Sequence, residues 1–402
     1  MRVLWFTGNP AMYQAKCKNI SFGGGWTASL QNEIITKYEE RIILGVAIPW
    51  EDNFDQIIDN TYYYGIKKST SIWYNYNKKE QRELQRVKQV VENFVPDIIH
   101  VFGSEHMHGL VSTLTSVPVV IHIQGIMIAY EKLWLPQNLS WWLYYFFDYH
   151  SFFDRLNLKV QVLREKRIFA NCKYFMGRTH WDKSCCELLA PNAEYFYCSE
   201  MLRPTIYYSK KLWTQHQAHC KKIATLISKP IYKGTDIVLR TAKTLIENGF
   251  VDFEWIVYGV DNFDITEKIT GLKSIDCNVK VGGIVNPDQL VESLTSADVY
   301  VHPSYIENSP NSVCEAQVLG VPVISLNVGG VSTLLDDGKA GILVGSGDII
   351  ALASLIKKVL TDSSLAEKLS KAGRDIALVR HSPECILKDV VNIYQKITRQ
   401  SL

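Results

Sequence analysis

The sequence predicts an α/β protein of two doubly wound, Rossmann-like domains. Three observations carry that prediction. Short Val/Ile-rich runs alternate with amphipathic stretches along the whole chain, the pattern of parallel strands covered by helices on both faces. The alternation occurs twice, once on each side of a polar stretch at 202–222. With 402 residues, of which 47 % are hydrophobic, the chain can bury two cores.

In the first half the strands read "RVLWFT" (2–7), "RIILGVAI" (41–48), "DIIHVF" (97–102), "PVVIHIQG" (118–125) and "YFMGRT" (174–179). In the second they read "KIATLIS" (222–228), "EWIVYG" (254–259), "VYVHPS" (299–304), "VPVISL" (321–326) and "GILVG" (341–345). Between them "TDIVLRTAKTLIENG" (235–249) has helical periodicity and closes on Gly249. The stretch "LRPTIYYSKKLWTQHQAHCKK" (202–222) has no strand pattern and is broken by Pro204, so the domain boundary falls there. The expected division is 1–205, 206–381, and a last amphipathic helix at 382–402 that returns to the first domain, with a cleft between the two domains.

Composition excludes several classes. A net charge of +2 provides no field for wholesale nucleic-acid binding. The N-terminal "MRVLWFTGNP" reads as a strand rather than a secretory signal, and no run approaches the ~20 apolar residues of a membrane span. Nine scattered cysteines without C-x-x-C spacing point to reduced thiols and a cytoplasmic location.

The most informative stretch is "YIENSPNSVCEAQVLGVPVIS" (305–325). Glu307 follows the strand "VYVHPS", in the loop at its carboxyl end, where open α/β sheets bind ligands. Ser309 reads as an N-cap, Pro310 as the first helical residue and Gly320 as the stop. The first free N–H groups, at Asn311, Ser312 and Val313, then form an anion site suited to a diphosphate. Glu315, further along that face, is placed to accept hydrogen bonds from ribose hydroxyls, and Glu307 from a sugar. The bare spacing of the two acids also fits a solvated loop Glu and a solvated helix Glu, but the strand before, the cap between and the Gly-x-Pro after them favour a nucleotide-sugar site.

This stretch, with "NVGG" after it and "KG" at Lys233–Gly234, resembles the retaining glycosyltransferases of family 4, which have the GT-B fold. Weaker matches at "PDIIHVFG", "RTHWDKS", "ADVYVHPS" and "DDGKAGILV" extend the likeness over nearly the whole chain. The resemblance implies a nucleotide-diphosphate sugar, UDP- or GDP-linked, as donor, with no cofactor and no metal. It implies a glycan or lipid-linked acceptor, and a place in cell-surface polysaccharide or glycoconjugate synthesis. Front-face transfer, in which the leaving diphosphate helps deprotonate the acceptor, is the mechanism it implies.

On that reading Glu307 and Lys233 are catalytic, the lysine neutralising charge that grows on the leaving diphosphate. Gly24 and Gly25 of "SFGGGW", Lys229, Gly283, Ile284, Asn308, Ser309, Pro310, Asn311, Ser312 and Glu315 bind the donor. Glu105, His108, His122, Gln124 and Arg178 stand on the acceptor or sugar side. Two positions depart from the family: the Arg expected upstream of Lys233 is missing, so that either Lys229 substitutes or a different basic residue serves, and Gln124 replaces a His. Glu105, His106 and His108 also admit a zinc reading, but no further ligand spacing accompanies them.

The aromatic segment 134–156, followed by Arg155, Lys159, Arg164, Lys166 and Arg167, reads either as a membrane surface or as a core helix with a solvated basic flank. A membrane contact would be peripheral, on the inner face. Rival functions are a GT-B nucleotide-sugar epimerase and a catalytically silent nucleotide-sugar or glycan-binding subunit.

Overall fold

The computed structural model describes residues 1–9, 12–13, 25–68, 76–137, 139–228 and 231–400. In chain order the first elements are β1 (Arg2–Phe6), α1 (Gly25–Lys37), β2 (Ile43–Trp50), β3 (Phe54–Ile58), β4 (Thr61–Lys67), α2 (Tyr76–Phe94), β5 (Ile98–Phe102) and β6 (Val119–His122). Then follow α3 (Met127–Leu133), α4 (Trp141–Phe147), α5 (Ser151–Asn171), β7 (Tyr174–Gly177), α6 (His180–Leu189), β8 (Glu194–Tyr197) and α7 (Pro204–Tyr207). The second series comprises β9 (Lys221–Leu226), α8 (Thr235–Glu247), β10 (Phe253–Tyr258), α9 (Asp264–Thr270), β11 (Val279–Gly283), α10 (Pro287–Thr295), β12 (Val299–His302) and α11 (Asn311–Val318). It ends with β13 (Val323–Leu326), α12 (Val331–Leu334), β14 (Ile342–Val344), α13 (Ile349–Thr361), α14 (Ser363–Arg380) and α15 (Pro383–Thr398).

The chain forms two compact units. The first comprises Met1–Glu131, Phe153–Met201 and His381–Leu402, the second Lys132–Phe152 and Leu202–Arg380. The excursion Lys132–Phe152 departs from the division expected from the sequence, which left these residues in the first domain. They join the second unit through local packing, with the Trp134 ring 4.7 Å from that of Tyr232.

The first unit's sheet runs β3-β4-β2-β1-β5-β6-β7-β8. Only β3 is antiparallel, paired with β4 through a tight hairpin. Asp59 and Asn60 at its turn both have positive φ, 46° and 58°, as a two-residue hairpin of this hand requires. The inner strands β5 and β6 are buried along their whole length, as expected of parallel strands with helices on both faces. Helix α15 belongs to this unit. Trp5 Nε1 donates to Tyr394 Oη at 2.9 Å, and Tyr394 Oη donates to His100 Nδ1 at 2.6 Å. Burial holds His100 down at about 3, so its ring is neutral and Nδ1 can accept.

The second unit's sheet is wholly parallel, β11-β10-β9-β12-β13-β14. In sequence order that is 3-2-1-4-5-6, with the strand order reversing between β9 and β12. Chains leaving the carboxyl ends of β9 and β12 therefore diverge to opposite faces and leave room for a ligand between them. The loop after β9 carries Lys233, and the loop after β12 carries Glu307.

Candidate active site

The two loops at this reversal are tied together. Tyr305 N–H donates to the carbonyl of Tyr232 at 2.8 Å, so the loop after β12 is held against the loop after β9. Gly234 makes the approach possible. It has φ of +80°, and a side chain there would collide with the carbonyl oxygen of Pro303. Lys233 Nζ consequently reaches Glu307 Oε1 and hydrogen-bonds it as an ion pair, with the side chains 18 % and 7 % exposed.

Glu307 is held from three further sides. Ser304 Oγ donates to the same Oε1 at 3.1 Å, and His302 Nε2 lies 3.8 Å from it. Gly330 N–H donates to the Glu307 carbonyl at 2.9 Å. Gly329, with φ of +50°, packs where any side chain would strike that carbonyl, which gives the "NVGG" turn its role. Burial is the largest single influence and lowers the Lys233 pKa, but Glu307 and Tyr232 together outweigh it and leave the ammonium raised above its ordinary value. His302 goes the other way: burial pushes it down to about 4, with Lys233 adding to the effect against the pull of Glu307. The site thus holds a charged lysine and a neutral histidine at pH 7.

Helix α11 begins one residue later than the sequence implied. Pro310, not Ser309, is the N-cap, because its ψ of 116° is extended, and the first helical residue is Asn311. Val313 N–H turns back to the Pro310 carbonyl at 3.0 Å. Of the three amides assigned to an anion site, only those of Asn311 and Ser312 therefore remain at the head of the helix. Asn308, Ser309 and Pro310 are buried in the loop that leads into it.

Glu315 is 3 % exposed, and Arg203 Nε donates to its Oε1 at 3.0 Å. Burial raises the carboxyl and Arg203 pulls against that rise. Sequence reasoning missed Arg203, because it treated "LRPT" as polar linker. The signal available was an Arg placed directly before a helix-starting proline. Gly283 and Ile284 lie at the carboxyl end of β11, the edge strand, two strands from β9. Ile284 is 68 % exposed. Gly24 and Lys229 lie outside the described residues.

In the first unit, Gly25 is the first residue of α1, and Glu105 follows the carboxyl end of β5. Two of the candidate histidines, His108 and His122, are buried in the first unit. His108 is 6 % exposed, packs 5.4 Å from the Phe6 ring and is held at about 3 by burial. His106 is about half exposed, so the His-x-His pair is split between core and surface.

His122 is fully enclosed between Trp26, at 4.9 Å, and His100, at 5.4 Å between ring centroids, and burial depresses its pKa. It cannot share a strand face with Gln124 as expected, because β6 ends at His122 and half-buried Gln124 lies beyond it. Arg178 is 3 % exposed, over the Trp26 ring at 4.4 Å and with Nε 3.3 Å from Glu200 Oε2.

Helix α4 settles the aromatic segment in part. Tyr144 is buried, whereas Trp142 and Phe146 are 81 % and 82 % exposed. Of the basic residues behind it, Arg164 and Arg167 are both tied to Glu80 at 2.8 Å. No helix among the described residues is long and apolar enough to cross a membrane.

Residues 221–376 match the family described as "Glycosyl transferases group 1". Among curated proteins, the 2-deoxystreptamine N-acetyl-D-glucosaminyltransferase of Niallia circulans is 28 % identical over 163 residues, 40 % of this chain and 42 % of that one. The capsular polysaccharide biosynthesis glycosyltransferase CapM of Staphylococcus aureus is 26 % identical over 169 residues, 42 % of this chain and 44 % of that one. The chain thus matches less than half the length of either relative. Over the whole fold, sucrose-phosphate synthase from Thermosynechococcus elongatus superposes with a TM-score of 0.73 at 15 % identity, covering 100 % of both chains. Anabaena Alr3699/HepE, solved with UDP and glucose, superposes at 0.63 and 16 % identity, covering 98 % of this chain and 100 % of that one. The matched segment supports the group 1 glycosyltransferase family for residues 221–376, on a chain that has the GT-B fold.

Proposed function

We propose that this protein is a retaining glycosyltransferase of family 4, moving a sugar from a nucleotide-diphosphate donor to a hydroxyl of a glycan or lipid-linked acceptor. The observation that carries the reading is the Lys233–Glu307 pair at the strand-order reversal of the unit that matches the family. A diphosphate leaving group gains negative charge as the glycosidic bond breaks. A charged Lys233 and the amide end of α11 stabilise that charge without a metal ion. Glu307 fixes the ammonium and offers its carboxylate to sugar hydroxyls, while Glu315, steadied by Arg203, takes the ribose. The bound UDP and glucose of the Anabaena neighbour support a donor of this class.

The test combines donor stabilisation with product stereochemistry. A thermal-shift panel of UDP- and GDP-sugars should single out one donor, and NMR of the product should show the donor's anomeric configuration kept. An inverted product would remove the retaining reading. Activity that requires added Mg²⁺ would remove the metal-free one. Stabilisation by no nucleotide sugar at all would count against a transferase of any kind.

A further inference from the structure

The second unit contains a cavity of about 270 Å³ that includes neither Lys233 nor Glu307 in its wall. Tyr144 and Asp148 line it from α4 and the turn after it, Ile231 and Asp236 from around the start of α8, and Asp261 and Phe263 from the loop before α9. Its size is close to the roughly 300 Å³ at which small-molecule pockets begin.

Three of those residues are carboxylates, and no lysine or arginine is among the described residues that line the cavity. A phosphate or carboxylate ligand would find no cationic partner among the described residues of the wall itself, where Arg240 acts only from beside Asp236. A metal ion is also a poor fit, since no three of these acids bring ligand atoms close enough to share one. The second observation concerns Asp236, which is 4 % exposed. Its Oδ2 accepts from Tyr305 Oη at 2.7 Å, but Oδ1 is enclosed with no hydrogen-bond partner among the described residues. A buried acceptor of this kind calls for a donor. Two rings, Tyr144 and Phe263, complete a wall that suits the apolar face of a sugar or a cation.

We propose that this cavity binds a hydroxyl-rich ligand carrying a protonated amine, that is, one amino-sugar unit. Its ammonium and hydroxyls supply donors to Asp148, Asp236 and Asp261, and its ring packs on the aromatic wall. The proposal does not depend on the transferase reading, because the two sites share no residue.

The probe is glucosamine, titrated into the full chain and followed by saturation-transfer NMR and calorimetry, with glucose, N-acetylglucosamine and glucosamine 6-phosphate as comparators. Glucosamine should saturate, and the three comparators, which lack the amine's charge or add a phosphate, should bind about tenfold more weakly or not at all. Asp236→Asn, which keeps an acceptor for Tyr305, and Asp261→Asn should each weaken glucosamine about tenfold. If Asp236→Asn fails to fold, Asp148→Asn and Asp261→Asn carry the same test. Absence of saturable glucosamine binding, equal binding of glucose, or folded variants that bind as the parent does would each overturn the proposal. A donor-induced thermal shift in the same samples reports on the Lys233 site separately.

Discussion

Lys233 and Glu307 lie 74 residues apart in sequence yet form one partly buried ion pair, because they leave the two strands between which the sheet order reverses. The pair keeps the ammonium charged where a diphosphate would need it. Lys233→Ala should therefore reduce kcat by about a hundredfold or more, with a smaller effect on donor affinity, since charge on the leaving group grows toward the transition state. The folded-state pKa is raised above the usual lysine value, so the charge persists through neutral pH and is lost only in strong alkali. A kcat that falls no more than the affinity would show that Lys233 acts only in binding.

Arg203 and Glu315 form the second pair of the site, and here the two substitutions should differ. Glu315→Ala removes the proposed ribose acceptor and should raise the donor's KM, at a cost of about 1.5–3 kcal/mol. Arg203→Ala leaves Glu315 buried without its cation and should destabilise the fold by about 3 kcal/mol. The Glu315 carboxyl is raised in the folded state, so its contribution to stability is complete below the ordinary carboxylate value and falls as pH rises through the folded one. Losing Arg203 raises that carboxyl further. Chemical denaturation of Arg203→Ala should then show a greater deficit at pH 8 than at pH 5. Equal deficits at the two pH values would mean the pair is not electrostatically coupled.

These two pairs also show what a sequence reveals. Glu307, Glu315 and Lys233 were legible because each sits next to a local signal: a buried strand, a proline-led helix, a glycine after the lysine. The long Val/Ile strands were legible for the same reason, since parallel strands such as β5, β6 and β12 are buried on both faces. Arg203 was not, because its partner lies 112 residues away and nothing local marks it. Strands β3 and β4 escaped because the hairpin turn is Asp59–Asn60 rather than a glycine turn, and its strands are rich in tyrosine and polar residues. For His108 and His122 only position was legible. Their burial beside aromatic rings, which holds both imidazoles neutral, depends on long-range packing that no local signal marks.

Glu165 should set part of the protein's pH dependence. It is fully buried in α5, where it accepts from Ser104 Oγ at 2.6 Å and from Ile128 N–H at 2.7 Å. Burial pushes its carboxyl up from 4.5 to about 7 against those hydrogen bonds. The folded state therefore holds the proton more tightly, and this group's contribution to stability is complete below 4.5 and lost as pH rises to about 7. Denaturation midpoints measured across that window should fall with pH for the parent protein and flatten for Glu165→Gln. A parallel slope in the two proteins would assign the dependence to other groups.

The exposed rings of α4 give the last expectation a definite form. Trp142 and Phe146 lie four residues apart on one helical face and are almost wholly in water, while Tyr144 on another face packs inward. An apolar pair exposed in this way costs solvation unless something covers it, and such rings suit a lipid interface. We expect the protein to sediment with vesicles containing anionic lipid and to release as salt rises, because attraction between basic side chains and lipid headgroups is screened. Trp142→Glu with Phe146→Glu should abolish sedimentation and leave the thermal midpoint nearly unchanged, since both side chains are largely in water and touch only the edges of neighbouring rings of the same helix. Trp141 and Phe147 are partly buried, so charges placed there should instead destabilise the helix. Sedimentation that survives the double substitution would move the lipid contact elsewhere, and a large fall in the midpoint would show these rings to be packed in solution.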